Sequence, residues 1–207
     1  MHIITPLPGV FTPRSDTWLL AEVVRQQDAL PGAEVLELGT GSGAIGVSAA
    51  KGGARRVTVV DVSRRALVTA SLNARLNGVR VVARRGDLFA PVQDERFDIV
   101  VSNPPYLPSQ RIPTRGASRA WEGGGPDGRS ILARICAEVP RHLNPGGSVL
   151  LVHSSINGVQ RTLDALEDGG LQAAVIARER GSVGPLLAER RPDLDEEEIY
   201  VVRGRLQ

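Results

Sequence analysis

The stretch EVLELGTGSGAIG, residues 34–46, decides the fold of this 207-residue chain. An apolar run, 34–38, is typical of a buried strand, and the glycine-rich turn after it opens a helical pattern at Ala44. A strand, a glycine turn and a helix in this order form the first unit of an open α/β sheet, whose ligands bind beyond the carboxyl ends of the strands. The stretch therefore predicts an α/β fold with a ligand site directly after the first strand.

On both sides of this stretch, strand and helix patterns alternate, which indicates crossover connections and a mainly parallel sheet. The last two strands are joined by residues 181–196 without a full crossover helix, so a closing antiparallel hairpin is expected. We predict one Rossmann-like α/β domain with an N-terminal lid and helix (1–30), a core (31–180) and a C-terminal hairpin segment (181–207). The seven predicted strands are 34–38, 57–60, 79–82, 97–101, 148–152, 171–177 and 197–202, and the predicted helices are 16–27, 44–50, 63–77, 131–143 and 156–166.

Bulk composition is that of an ordinary globular protein, with 42% hydrophobic and 23% charged residues. The apolar runs are far shorter than the ~20 residues that cross a bilayer, and the first ten residues do not resemble a signal peptide, so we expect a cytoplasmic protein. The single cysteine, Cys136, excludes an internal disulfide, and the three histidines lack ligand spacing, so no metal site is predicted. The formal charge of +2, spread along the chain, weakens the case for a nucleic-acid partner.

Two ligands compete for the glycine turn. From Gly41 the sequence matches the Gly-x-Gly-x-x-Gly fingerprint of dinucleotide sites, and from Gly39 it is Gly-x-Gly-x-Gly with Glu37 two residues earlier. A carboxylate at Glu37 would repel a pyrophosphate but would attract the ammonium of a methionine moiety, while the glycines let the backbone approach the ligand. The acid therefore favours S-adenosylmethionine over a dinucleotide.

Acids also follow the next two strands. Asp61 ends the second strand, where it can accept bonds from both ribose hydroxyls, although dinucleotide enzymes use an acid there too. After the third strand, Asp87 can accept from the adenine amino group and Leu88 can contact the ring. Each acid alone is compatible with a solvated turn residue, but three at successive strand ends are harder to obtain by chance. The predicted S-adenosylmethionine site is formed by Glu37, Gly39, Gly41, Gly43, Asp61, Asp87 and Leu88.

The predicted chemistry lies in Asn103-Pro104-Pro105-Tyr106, which follows the fourth strand. The lone pair of an amide or aniline-like nitrogen is delocalised, so the group must be oriented before it attacks a methyl carbon. The Asn103 side-chain oxygen and the Pro104 carbonyl can each accept one N–H of such a group. Pro105 keeps the backbone rigid, and Tyr106 offers an aromatic face to a planar acceptor. A plain turn after a strand is the alternative interpretation.

These residues together resemble the HemK-like class I methyltransferases over about residues 9–180. The segments 11–17 and 120–129 are similar to the archaeal and eukaryotic branch, which lacks the helical N-terminal domain of the bacterial enzymes. The resemblance implies methylation of the glutamine side chain in a translation release factor, with Asn103 to Tyr106 holding the glutamine. It implies further that Thr17 joins the cofactor site, and that Asn103 contacts the cofactor as well as the acceptor. Ser15 departs from the branch, in which Glu is common at that position.

The resemblance also implies a small zinc-binding activator protein that covers one edge of the sheet. Other functions stay open from the sequence, among them a small-molecule methyltransferase of a biosynthetic pathway and the two that follow. One is a methyltransferase for the N6 of adenine or the N2 of guanine in DNA or RNA, because those amino groups are conjugated like an amide and a flipped base would stack on Tyr106. The other is a non-catalytic partner that binds S-adenosylmethionine, against which the intact Asn103 argues. Trp121 is expected either in the wall of the acceptor groove or packed in the core, as is common for a large aromatic residue.

Overall fold

The apolar strands form one central sheet that is covered by helices on both faces. A computed structural model of the chain describes residues 1–5, 7–112 and 117–207. Residues 106–129, which are rich in Pro, Gly, Ser and Arg and are expected to form an irregular loop, lie partly outside the described residues. The strands are β1 (Glu34–Leu38), β2 (Arg56–Asp61), β3 (Val82–Arg85), β4 (Phe97–Ser102), β5 (Leu143–Ser154), β6 (Leu171–Ser182) and β7 (Glu196–Leu206). The helices are α1 (Ser15–Arg25), α2 (Ala44–Lys51), α3 (Arg64–Leu76), α4 (Ser130–Glu138), α5 (Val159–Asp168) and the single turn α6 (Pro185–Ala188).

The strand order in the sheet is β3-β2-β1-β4-β5-β7-β6. The pairs among the first five strands are parallel, whereas β7 runs antiparallel to both β5 and β6. The predicted seven-stranded, mostly parallel sheet with a closing hairpin is therefore confirmed. Since the order reverses between β1 and β4, the carboxyl ends of these two strands frame the point at which ligands bind in open sheets. The sequence-based division of the chain at residue 180 stays a prediction, and β6 crosses it.

Successive side chains of each strand point to opposite faces of the sheet, so the core consists of two layers. On one face Val35 and Ile99 pack with apolar residues of α1, α2 and α3, and on the other face Leu36 and Val100 pack with residues of α4 and α5. Strands that are buried on both sides are expected to be rich in apolar residues, and in β1 and β4 every residue is apolar except Glu34, Glu37, Asp98 and Ser102. Cys136 lies in the second layer and is 1% exposed, so its prediction as a core residue is confirmed.

Several predicted boundaries were wrong: β5, β6 and β7 are longer than expected, and three other elements differ for local reasons. The third strand was expected at 79–82 but spans Val82–Arg85, because the valines directly after Gly78 belong to the cap of α3, where the N–H of Val79 donates to the carbonyl of Ala74. The helix expected at 131–143 ends at Glu138 and continues as a 3₁₀ turn, since Pro140 has no N–H to donate. The helix expected at 156–166 starts only at Val159, after Gly158.

Within the described part of the chain, no helix combines the length and the apolar character that a membrane span requires.

Candidate active site

A large cavity opens at the carboxyl ends of the strands. Its volume is about 980 Å³, and its walls come from the N-terminal segment, the turns after β1 to β4, and the β6–β7 hairpin. A volume of this size lies at the upper end of the range of small-molecule sites. Of the predicted site residues, eleven line the cavity: Thr17, Glu37, Gly39, Gly41, Asp61, Asp87, Leu88, Asn103, Pro104, Pro105 and Tyr106.

The glycine turn has the backbone geometry that only glycine adopts easily. Gly39 and Gly41 have φ values of 66° and 53°, and both face the cavity. Gly43, with φ 80°, does not line the cavity, so its predicted contact with the cofactor is not supported. A Cβ on Gly43 would lie 2.7 Å from the Cβ of Ala70, which means that this glycine permits the close packing of α2 on α3.

Glu37 holds the glycine turn in place from beneath. Its Oε2 accepts bonds from Thr40 Oγ1 at 2.6 Å and from the N–H of Gly46 at 3.0 Å, and the residue is only 2% exposed. Burial raises the pKa of Glu37 to about 8, and the bonds from Thr40 and Gly46 offset only part of that increase. In its ionised form, a buried carboxyl group of this kind would attract a cation and repel a pyrophosphate.

Binding of S-adenosylmethionine should release a proton from Glu37. Near pH 7 the ligand-free carboxyl group is mainly protonated, because its pKa is about 8, and an ammonium group nearby would return it to the ionised form. Calorimetry at pH 7 in buffers of different ionisation enthalpy should therefore show release of up to about one proton per ligand. Glu37→Gln should abolish this release, and an unchanged release in that variant would contradict the assignment.

Asp61 connects the glycine turn to the start of α3. Its Oδ2 accepts from the N–H of Gly41 at 3.0 Å and its Oδ1 from the N–H of Ser63 at 2.8 Å. Ser63 in turn caps α3 by accepting from the N–H of Ala66. The carboxylate is thus fixed at the cavity wall at the end of β2, where ribose hydroxyls were expected to bind.

The Asp87-Leu88 corner carries backbone strain. Leu88 has φ 47°, which makes it the only residue other than glycine with positive φ among the described residues. Such a conformation costs of order 1 kcal/mol and is found mainly at functional sites. Asp87 forms an ion pair with Arg134 of α4, with 2.7 Å between Oδ2 and Nη2. Arg134 also lines the cavity, although no sequence motif marked it as a site residue.

Asn103 belongs to a chain of hydrogen bonds that begins in α1. Its Nδ2 donates to Thr17 Oγ1 at 3.1 Å, and Thr17 Oγ1 lies 3.2 Å from Asp16 Oδ1. The hydroxyl of Tyr106 donates to Asp16 Oδ2 at 2.9 Å. Burial, followed by the charge and hydrogen bond of Asp16, holds the pKa of Tyr106 well above its usual range. Asp16 was not predicted as a site residue, although it directly precedes Thr17.

Hydrogen bonds and close packing fix the backbone at Tyr106. Asn157 donates through Nδ2 to the carbonyls of Tyr106 and Asp127, each at 2.8 Å. Gly128 has φ 68°, and a Cβ there would lie 1.9 Å from the carbonyl oxygen of Tyr106. Gly123 is equally confined, since its Cβ would lie 2.4 Å from the carbonyl oxygen of Pro105. The glycines of segment 123–128 therefore let it pack directly against the predicted catalytic turn.

Gly128→Ala should impair transfer without impairing cofactor binding. The added Cβ must displace Tyr106, and a shift of about 1 Å in a reacting geometry can cost on the order of 100-fold in rate. The matched control is Gly170→Ala, because Gly170 also has positive φ but no atom lies within 4 Å of its Cβ position. Steady-state kinetics and calorimetry would separate the two effects. Equal kcat values for the two variants would show that the contact has no role in transfer.

The β6–β7 hairpin forms the outer wall of the cavity. Leu186, Leu187 and Glu197 line it opposite Trp121 and Glu122, which confirms the predicted place of Trp121 in the wall. An ion pair of 2.8 Å between Arg190 and Glu122 joins the hairpin to the loop after the catalytic turn. Both side chains are largely buried, so the hairpin and the loop act as the two sides of one groove.

Several named proteins are similar in sequence to this chain over most of its length. A family described as methyltransferase small domain matches residues 2–119. A protein of Methanocaldococcus jannaschii provisionally named protein N5-glutamine methyltransferase is 35% identical over 172 residues, which cover 83% of this chain and 85% of the relative. The release factor glutamine methyltransferase of Bordetella pertussis is 41% identical over 163 residues, which cover 73% of this chain but only 59% of the relative.

Solved structures share the fold. The Mtq2–Trm112 complex of E. cuniculi, described as responsible for methylation of the eRF1 translation termination factor, matches with a TM-score of 0.70 and 23% identity over 96% of this chain and 99% of that one. A 16S rRNA N2 methyltransferase of T. thermophilus in complex with AdoMet and guanosine matches with a TM-score of 0.65 and 22% identity, over 97% of this chain and 46% of that one.

The sheet, the glycine turn and the acids at the ends of β1 to β3 define a Rossmann-like methyltransferase that uses S-adenosylmethionine. The residues of the cavity suit this cofactor, since the three carboxyl groups of Glu37, Asp61 and Asp87 line it and its ammonium, ribose and adenine groups are all donors. The chain belongs to the methyltransferase small domain family and, within it, to the HemK-like protein glutamine methyltransferases.

Proposed function

We propose that this enzyme methylates the side-chain amide nitrogen of glutamine in a protein, with a translation release factor as the first acceptor to test. The observation that carries the proposal is the orientation of Asn103. Its Nδ2 is used in the bond to Thr17 Oγ1, so its Oδ1 is left to accept an N–H of the acceptor. The names of the relatives from Methanocaldococcus jannaschii and Bordetella pertussis support the same choice of acceptor.

The residues of the chain act mainly by orientation. Asn103 and the carbonyl of Pro104 hold the two N–H bonds of the amide, which directs the nitrogen lone pair away from both. Pro105 keeps the turn rigid, and the Tyr106 ring lies beside the planar amide. S-adenosylmethionine supplies a methyl group on a cationic sulfur, so the site needs no strong base. We assign the binding of its ammonium to Glu37, of its ribose to Asp61, and of its adenine to Asp87 and Leu88, with Gly39, Gly41 and Thr17 alongside.

The acceptor is tested with radiolabelled S-adenosylmethionine and the release factor of the same organism. Label should enter the release factor and map by mass spectrometry to one glutamine, and replacement of that glutamine by alanine should remove the signal. In a parallel lysate of the native host, labelled product should be lost to protease treatment. Label that is lost only to nuclease would overturn the proposal in favour of a nucleobase acceptor.

We also propose a small zinc-binding activator protein as a partner. Val68, Leu72 and Leu76 are exposed at successive turns of α3, and Val82 of the adjacent edge strand β3 is 40% exposed. Apolar groups in one contiguous patch favour a protein partner. Arginines flank this patch, and no acidic residue occurs in residues 63–86, which favours an acidic partner. The similarity to the Mtq2–Trm112 complex supports a partner of this kind.

Co-purification from the native host tests the partner. A small protein that contains zinc by elemental analysis should be retained by the wild-type chain and lost from a Leu72→Ser, Leu76→Ser variant. Val175→Ser is the matched control, because Val175 is similarly exposed on β6 at the other edge of the sheet. A lone chain with full activity and no retained zinc protein would count against the partner.

A further inference from the structure

A buried carboxylate lies beneath the predicted catalytic turn. Asp16, in the first turn of α1, is 4% exposed. Its Oδ1 accepts from the N–H of Thr17 at 2.6 Å and from Thr17 Oγ1 at 3.2 Å, and its Oδ2 accepts from the Tyr106 hydroxyl at 2.9 Å. The positive end of the helix dipole favours a negative charge at this position. The expected roles of Thr17 in the cofactor site and of Tyr106 beside the acceptor do not explain why an acid is buried next to both.

The donors and acceptors in this cluster can be assigned one by one. A carboxylate has no proton to donate, so the hydroxyls of Thr17 and Tyr106 must each direct their only proton to Asp16. Thr17 Oγ1 is then limited to accepting, and it accepts from Asn103 Nδ2 at 3.1 Å. This bond fixes which way the Asn103 amide points and leaves its Oδ1 toward the cavity. The Tyr106 oxygen, whose proton is in use, is likewise left with lone pairs only.

We propose that Asp16 is a positioning residue that leaves Asn103, Pro104 and Tyr106 with only hydrogen-bond acceptors for the group to be methylated. The oxygens of Asn103, Pro104 and Tyr106 can then bind the –NH₂ of a primary amide but offer no donor to a carboxylate. The enzyme would thereby distinguish glutamine from glutamate, which have the same shape. This inference rests on the proposed function, because it concerns how that acceptor is selected.

Asp16→Asn is the test, since the asparagine keeps the size of the side chain but adds two donors. One hydroxyl of the cluster can then turn its proton toward the cavity. With the acceptor peptide, kcat should fall by about 100-fold, as when one oriented group is lost from an active site. The dissociation constant of S-adenosylmethionine should change by less than about threefold, because Glu37, Asp61 and Asp87, the acids assigned to its ammonium, ribose and adenine groups, lie outside this cluster. A peptide with glutamate in place of the glutamine should inhibit the variant at least about tenfold more strongly than it inhibits the wild type.

The control is Asp98→Asn, the same substitution at an acid that accepts from the N–H of Glu34 and from Asn144 at the opposite end of the sheet. It should match Asp16→Asn in any loss of thermal stability yet keep wild-type kcat and inhibition. If Asp16→Asn lowers kcat but leaves glutamate inhibition unchanged, the acid is merely structural and the inference fails. Should Asp16→Asn not fold, Thr17→Val carries the test, because it removes the hydroxyl that links Asp16 to Asn103; kcat should fall in this variant but not in Asp98→Asn.

A spectroscopic measurement tests the cluster without any acceptor. The chain has two tyrosines, so in a Tyr200→Phe background the absorbance of phenolate reports Tyr106 alone. Asp16→Asn in this background should lower the pKa of Tyr106, since Arg14 and Glu197, the other charges that act on it, are unchanged. An unchanged titration would overturn the inference. If the titration shifts but the wild type methylates no release factor, then the proposed function fails while the hydrogen-bonded cluster stands.

Discussion

Asn103→Ala should reduce kcat for glutamine methylation by at least about 10²–10³-fold, the usual cost of losing one oriented polar group from an active site. Alanine removes the amide oxygen that the catalytic turn directs at the acceptor, and it also leaves Thr17 Oγ1 without its donor from Asn103. The affinity for S-adenosylmethionine should stay within about threefold of the wild type, because the carboxylates that hold it are untouched. Single-turnover kinetics and calorimetry measure the two quantities separately.

A suitable control for this variant is Asn144→Ala. Asn144 also donates through Nδ2, to Asp98 Oδ1 at 2.8 Å, but it lies at the end of the sheet remote from the cavity. Its loss should lower stability and leave kcat unchanged. If Asn103→Ala still transferred methyl groups at the normal rate, the assignment of this asparagine would be refuted.

Asp61→Ala should act on the other half of the reaction, cofactor binding. Loss of charge-assisted hydrogen bonds costs roughly 1.5–3 kcal/mol, so the dissociation constant of S-adenosylmethionine should rise by about 10- to 150-fold. Part of that loss comes from the glycine turn, since Asp61 also accepts from the N–H of Gly41. Calorimetry on the variant gives the dissociation constant directly, and kcat at saturating cofactor should change far less.

Asp61→Asn separates the two contributions of this residue. The asparagine amide keeps one acceptor oxygen but carries no negative charge, so its hydrogen bonds are weaker than those of the carboxylate. We therefore expect an affinity for S-adenosylmethionine between that of the wild type and that of Asp61→Ala. Asp94→Ala, which removes an exposed acid outside the cavity, should leave binding as it is. An affinity for S-adenosylmethionine that does not change in Asp61→Ala would remove this residue from the cofactor site.

The sheet and most of the cavity residues could be predicted because their signals are local. Apolar runs give the strands, and residues that directly follow parallel strands must meet at one edge of the sheet. For this reason Glu37, Asp61 and Asn103 were correctly expected in one cavity, though their sequence separations are large. Strand β3 was misplaced by three residues because an edge strand is exposed and its pattern is weak, while the cap of α3 contains valines.

Other features depend on tertiary contacts that no local pattern reports. Gly43 belongs to the same motif as Gly39 and Gly41, but only the packing of α3 shows that it faces a helix. Asp16 could be taken for an ordinary acid in the first turn of a helix until Tyr106, ninety residues later, is seen to donate to it. The place of Leu187 in the cavity follows from the path of the hairpin, which the sequence leaves open.

The outer wall of the groove lies on the one part of the sheet that is antiparallel. A hairpin can gain or lose residues at its tip without shifting the register of its neighbours, and lengthening such a connection costs little free energy. Segment 183–195 could therefore diverge in length and charge among enzymes that keep the same turn after β4. The choice of acceptor and the methyl-transfer step would then evolve separately. Changes in segment 183–195 are therefore a route to engineering the enzyme for new polypeptide acceptors.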